Sequence, residues 1–68
     1  MSVLIERTSR RFTKRTEYRN MDEAITYTAV AVYDSGEART LADAEQLAAR
    51  LPHGPVEAGD YTFTVKES

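Results

Sequence analysis

Between residues 24 and 33 the chain reads Ala-Ile-Thr-Tyr-Thr-Ala-Val-Ala-Val-Tyr, ten positions without a charge, rich in β-branched and aromatic types. That composition predicts a strand. Extended, it places Ile25, Tyr27, Ala29, Ala31 and Tyr33 on one face and Thr26, Thr28, Val30 and Val32 on the other. Asp34-Ser35-Gly36 follows as a turn. From Thr40 the period changes. Leu41, Ala44, Leu47, Ala48 and Leu51 recur at helical spacing and share about 120° of arc at 100° per residue. The pattern predicts an amphipathic helix over residues 40–51, with Thr40 as N-cap, Asp43 three residues later, and Pro52 and Gly54 as terminators. Residues 52–59 read as a loop. Asp60-Tyr61-Thr62-Phe63-Thr64-Val65-Lys66 then alternates, with Tyr61, Phe63 and Val65 inward and Thr62, Thr64 and Lys66 outward.

The N-terminal third has a weaker pattern. Val3 and Ile5 share one face of a short strand over residues 3–8. Phe12 and Tyr18 fall on even positions, so an unbroken flat strand would set them on the opposite face. A bulge, break or loop is therefore expected near residues 8–11. Asn20-Met21-Asp22-Glu23 reads as the turn of a hairpin that leads into the 24–33 strand. The expected fold is α+β in the order β-β-α-β: a small antiparallel sheet with one amphipathic helix on one face, all in a single domain over 1–68. The last strand is expected beside the N-terminal one and antiparallel to it, giving a strand order 2-1-3.

At 68 residues the core must be small. The chain has no cysteine, so neither a disulfide nor a thiolate metal site can staple it. The apolar run Val3-Leu4-Ile5 is far shorter than the roughly 20 residues of a membrane-spanning helix, so a soluble, cytoplasmic protein is the default expectation.

Charge changes the picture more than composition does. The net charge is −2, but residues 1–20 carry six cations against two acids, a net of +4, and the remainder carries three against nine, a net of −6. A cationic face or arm on an acidic body is implied. The candidate partner-binding residues all lie there: Arg10, Arg11, Phe12, Lys14, Arg15, Tyr18 and Arg19. Cations and aromatics in one segment suit an acidic protein surface, or a nucleic acid through phosphate contacts and base stacking. The plainer reading is a solvated strand whose long cations keep a sheet edge from aggregating. A further reading is a homodimer through the half-apolar face carrying Val30 and Val32.

Catalytic chemistry finds little material. His53 is the one histidine, placed between Pro52 and Gly54, and reads as an exposed loop residue. Asp22 and Glu23 lack the spaced oxygens of a calcium loop. Gly36, Gly54 and Gly59 stand singly in turns, so no phosphate-cradling loop forms. No enzyme activity, metal or cofactor is expected.

The stretch Ala31-Val32-Tyr33-Asp34-Ser35-Gly36, with Ala44-Glu45-Gln46-Leu47 and Leu51-Pro52 after it, in a very small, cysteine-free, acidic chain, resembles the small phage-encoded proteins that block host machinery, including anti-CRISPR proteins. The resemblance covers fewer than half the residues. It implies an inhibitor that acts by occupying a partner's surface, and it designates no functional residue and no target.

Overall fold

Two strands, two helices and two more strands follow one another in the computed structural model, which describes residues 2–66. They are β1 (Val3–Thr8), β2 (Thr13–Tyr18), α1 (Met21–Asp34), α2 (Leu41–Ala48), β3 (Val56–Ala58) and β4 (Tyr61–Lys66), with a single 3-10 turn at Leu51–His53. The strands form one antiparallel sheet in the order β2-β1-β4-β3. The class is therefore α+β, with two helices and four strands where the sequence pattern predicted one and three.

The largest departure lies at residues 24–33, which are the body of α1 and not a strand. Residues 20–23 are correspondingly not a hairpin turn. Asn20 is the N-cap, and its side-chain oxygen accepts a 2.8 Å hydrogen bond from the Glu23 amide. The Glu23 carboxylate reaches back to accept from the Arg19 amide at 2.9 Å. This reciprocal arrangement satisfies free donors at the helix start. The threonines, poor helix formers in isolation, are accommodated from within. Thr26 and Thr28 donate their hydroxyls to the carbonyls of Asp22 and Ala24, at 2.9 and 2.8 Å. Ala24, Thr28, Ala29 and Val32 are buried, a helical spacing that the uncharged run concealed. Tyr27, Val30 and Tyr33 are exposed. The half-apolar sheet face expected from Val30 and Val32 accordingly does not exist.

The hairpin expected between the N-terminal strand and 24–33 is instead β1–β2, closed by residues 9–12, where the loop near 8–11 was expected. Ser9 organises it. Its hydroxyl accepts from the amides of Arg11 and Phe12 and donates to the Phe12 carbonyl, and its own amide donates to the same carbonyl at 2.9 Å. The reversal pairs Val3 with Tyr18 and Ile5 with Thr16. Tyr18 thus shares the Val3 and Ile5 face despite its even number.

β4 pairs with β1 in antiparallel register, Ile5 opposite Val65, as the last strand was expected to do. Tyr61, Phe63 and Val65 lie toward the core and Phe63 is buried. Thr40 caps α2, accepting from the Asp43 amide at 3.1 Å. The helix is shorter than the predicted 40–51. After Ala48 the winding tightens: the Arg50 amide bonds to Leu47 and the His53 amide to Arg50, both three residues back. Leu51 is buried from this 3-10 turn, whereas Leu41 is 54% exposed and Leu47 half-buried. The supposed loop 52–59 contains β3, which pairs with β4 and buries Val56 and Ala58.

Alternation sorts the sheet into two faces. Val3, Ile5, Tyr61, Phe63, Val65, Val56 and Ala58 contribute to the core or pack against it under the helices. The other face is uncovered. There Glu6 accepts from Arg15 Nε at 3.0 Å and lies 3.7 Å from Lys66 Nζ, among Thr8, Thr13, Thr62 and Thr64.

Candidate functional site

The seven expected binding residues are distributed along the β1–β2 hairpin and do not form one patch. Arg10, Arg11 and Phe12 sit at the tip, exposed, Phe12 to 52%. Ser9 ties this tip into a hydrogen-bonded turn, from which the three side chains project. Arg10 and Arg11 form no ion pair among the described residues. Arg15 points to the uncovered face and is engaged by Glu6. Lys14 and Tyr18 belong to the opposite, helix-facing side. Arg19 follows the strand, exposed, its backbone amide tied to Glu23.

Lys14 and Tyr18 open onto a cleft of about 450 Å3 between the β1–β2 sheet face and α1. Its floor and strand wall are Ile5, Arg7, Lys14, Thr16 and Tyr18. Its helix wall is the stripe Glu23, Tyr27 and Ala31, four residues apart, with Thr28 beside it. The cleft has a simple cause. The helix-facing positions of β2 are Lys14, Thr16 and Tyr18, and packing a helix tightly onto the first two would desolvate a charge and a hydroxyl. Ala31 opposite is too small to fill the space.

Arg7 is the residue that the sequence pattern did not single out. It stands directly opposite Lys14 in the β1–β2 register. Its guanidinium carbon lies 4.7 Å from the centroid of the Tyr61 ring, a cation–π contact. Its Nε is withdrawn from solvent and has no hydrogen-bond acceptor. Recognising Ser9 as a turn former would have brought Arg7 and Lys14 together on paper, because a four-residue reversal fixes that register. Tyr27 had no such signal, since its position depends on α1 being a helix.

The Tyr18 and Tyr27 rings meet at 5.2 Å between centroids, tilted by 37°. Burial pushes the Tyr18 phenol above its ordinary value of 10.0, with the neighbouring Tyr27 and Glu23 adding to the rise and Arg7 and Thr16 opposing it. The phenol is therefore a neutral donor at physiological pH.

A second groove runs between the helices, where Ile25, Ala29, Val30 and Leu41 lie between Asp22 and Glu45. His53 is exposed. Among the described residues no group of three or more His, Cys, Asp or Glu is placed to hold a metal ion, and no helix is long and apolar enough to cross a membrane. Comparison with protein-family models, with curated proteins and with solved structures finds no match to this chain.

Proposed function

We propose that the protein is a small non-enzymatic interaction domain that docks on an acidic surface of a protein partner through the β1–β2 hairpin. The observation that carries this reading is the tip: Arg10, Arg11 and Phe12 are exposed on a hydrogen-bonded turn, and neither arginine pairs with an acid among the described residues. An exposed aromatic preceded by two arginines is the composition of an interface anchor. The cationic tip, carried on an acidic body, is the part of the surface whose charge complements an acidic partner.

The nucleic-acid reading draws on the same cations but is less well supported. A phosphate track needs them in line on one face. Here Lys14 and Arg15 point to opposite sides of the sheet, and Arg15 is already paired.

The test is a partner capture from the native host with the parent and with an Arg10→Gln/Arg11→Gln/Phe12→Ala variant, both checked for thermal midpoint. The expected result is salt-sensitive capture by the parent, its loss in the variant, and matched stability, since exposed residues contribute little to folding. Capture unaffected by the substitutions overturns the reading, and a salt-sensitive mobility shift with generic DNA or RNA would replace it by the second. Occupying a partner's surface is also what the resemblance to phage-encoded inhibitors implies; loss of the captured partner's activity on binding is the measurement that extends the reading to inhibition.

A further inference from the structure

We infer that the cleft between α1 and β2 is a carboxylate-binding site, filled by an acidic side chain of an extended peptide that adds to the free edge of β2. This rests on the hairpin being the binding surface, but it uses different residues from the tip.

The first support is a charge pattern. Arg7 and Lys14 are direct cross-strand partners on the cleft side of the sheet. Opposed like charges destabilise a sheet, their Cα atoms being only about 4.5–5.5 Å apart. One rung along, on the outer face, the opposed pair is Glu6 and Arg15, and those two form an ion pair. The same two strands therefore carry a matched pair outside and a mismatched pair inside. Two acids border the cleft, and neither forms an ion pair with Arg7 or Lys14. Glu23 is occupied by the Arg19 amide, and Glu17 falls on the alternate side of β2. A carboxylate entering from outside would supply the missing opposite charge.

The second support is the state of Arg7. Its guanidinium is held over Tyr61, and its Nε is withdrawn from solvent and has no hydrogen-bond acceptor. A guanidinium already fixed in place loses little entropy when it meets a planar carboxylate. Lys14 is exposed and free to close on the second oxygen. The paired rings of Tyr18 and Tyr27 provide an apolar wall for the methylene stem, and the cleft volume is in the range of about 300–1,000 Å3 typical of ligand sites.

The third support chooses a peptide over a free anion. β2 is the outermost strand, and no backbone group of Thr13–Tyr18 bonds to anything but the β1 ladder among the described residues. Such an edge accepts an added strand, whose alternate side chains fall on the cleft side of the sheet. Cations at Lys14 and Arg15 disfavour a second copy's β2 there and favour an acidic chain.

The experiment titrates isotope-labelled protein with three probes, followed by NMR and amide exchange. The probes are a blocked seven-residue peptide alternating valine and glutamate, its glutamine counterpart, and inorganic phosphate. The expected result is that the glutamate peptide shifts and protects amides of Thr13–Tyr18, and that the glutamine peptide binds about tenfold or more weakly. Lys14→Gln should weaken the glutamate peptide by a similar factor and leave the glutamine peptide unchanged. Arg7→Gln, run only if its circular dichroism matches the parent, should do the same. Equal affinity for the two peptides, or a Lys14→Gln variant that binds as the parent does, overturns the inference and leaves the tip reading standing. Phosphate shifts at Arg7 and Lys14 without peptide protection overturn the peptide occupant. Concentration-dependent protection of the same amides without peptide means a second copy takes the edge, and overturns it too. Peptide binding lost with Lys14→Gln, alongside partner capture indifferent to the tip substitutions, supports the cleft and sinks the tip alone.

Discussion

Single residues carry several of the decisions in this fold. Gly59 has φ +59°, a left-handed conformation at the β3–β4 turn, and its amide donates to the Glu37 carboxylate 22 positions earlier at 3.0 Å. A Cβ there would meet only the Ser35 Cβ at 3.8 Å, an ordinary contact, so the cost of Gly59→Ala is backbone strain alone. The expected loss is about 1–2 kcal/mol in chemical denaturation. Asn20→Ala removes the acceptor for the Glu23 amide and should cost about 1 kcal/mol, seen as a Tm lowered by roughly 4–8 °C. Tyr18 makes a pH prediction. Its phenol titrates above its ordinary 10.0 in the folded protein because burial disfavours the phenolate. A group with a raised folded pKa contributes stability that is complete below its unfolded pKa and is lost as pH rises through the folded one. The denaturation midpoint should thus fall above pH 10, and Tyr18→Phe should lessen that fall; an identical profile in the variant would disprove the assignment.

At the scale of elements, α1 decides the architecture. As a helix it buries Val32 completely and leaves Tyr27 59% exposed; as a strand it would have buried Tyr27 with Ala29 and Ala31. The two arrangements predict different mutational results. Val32→Ala should cost about 2 kcal/mol, from lost apolar burial plus a cavity. Tyr27→Ala should cost only about 0.5–1.5 kcal/mol, the share of its ring contact with Tyr18, and not the roughly 3–5 kcal/mol of a buried aromatic. Leu51→Ala should cost roughly 2–5 kcal/mol and Leu41→Ala little, since the 3-10 turn and not the α2 stripe delivers the buried leucine. The α-helical winding stops after Ala48 because Pro52 has no amide to donate to the Ala48 carbonyl and its ring crowds that group.

As a whole, the molecule is a two-layer sandwich with one face of its sheet bare. Its radius of gyration, 10.9 Å, is close to the ~11 Å of a compact chain this long. Half of the buried apolar side chains are alanine: Ala24, Ala29, Ala44, Ala48 and Ala58 stand beside Ile5, Val32, Leu51, Val56 and Phe63. So small a core makes each large member count, and it leaves Tyr27, Val30, Tyr33 and Leu41 outside. The cationic hairpin projects from one sheet edge of this acidic body. Replacing Arg10 and Arg11 with glutamine should leave the melting temperature unchanged and slow association with an acidic partner chiefly at low salt, read from rate constants at two ionic strengths.

Local chemistry was legible wherever a short-range signal had no competitor. The Thr40 cap, the chain reversal at Ser35-Gly36 and the alternation of Tyr61, Phe63 and Val65 follow from spacing and turn residues alone, whereas the antiparallel pairing of the first and last strands was expected on the premise of a 24–33 strand that is in fact α1. The exposed cationic tip was legible from charge. Residues 24–33 were not, because ten uncharged residues rich in Thr, Val and Tyr satisfy both periods, and their β-propensity outweighed the one discriminating feature, Asn20 with Glu23 three positions on. Tertiary packing settled the ambiguity: as a helix the segment brings Ala24, Thr28, Ala29 and Val32 to one side against α2 and the sheet. Once that was settled, the cleft followed. The pairing of Arg7 with Lys14, the wall of Tyr18 and Tyr27, and the free edge of β2 join residues from three elements. Sequence spacing encodes contacts along one element, whereas which face of one element meets another is decided only when all of them pack together.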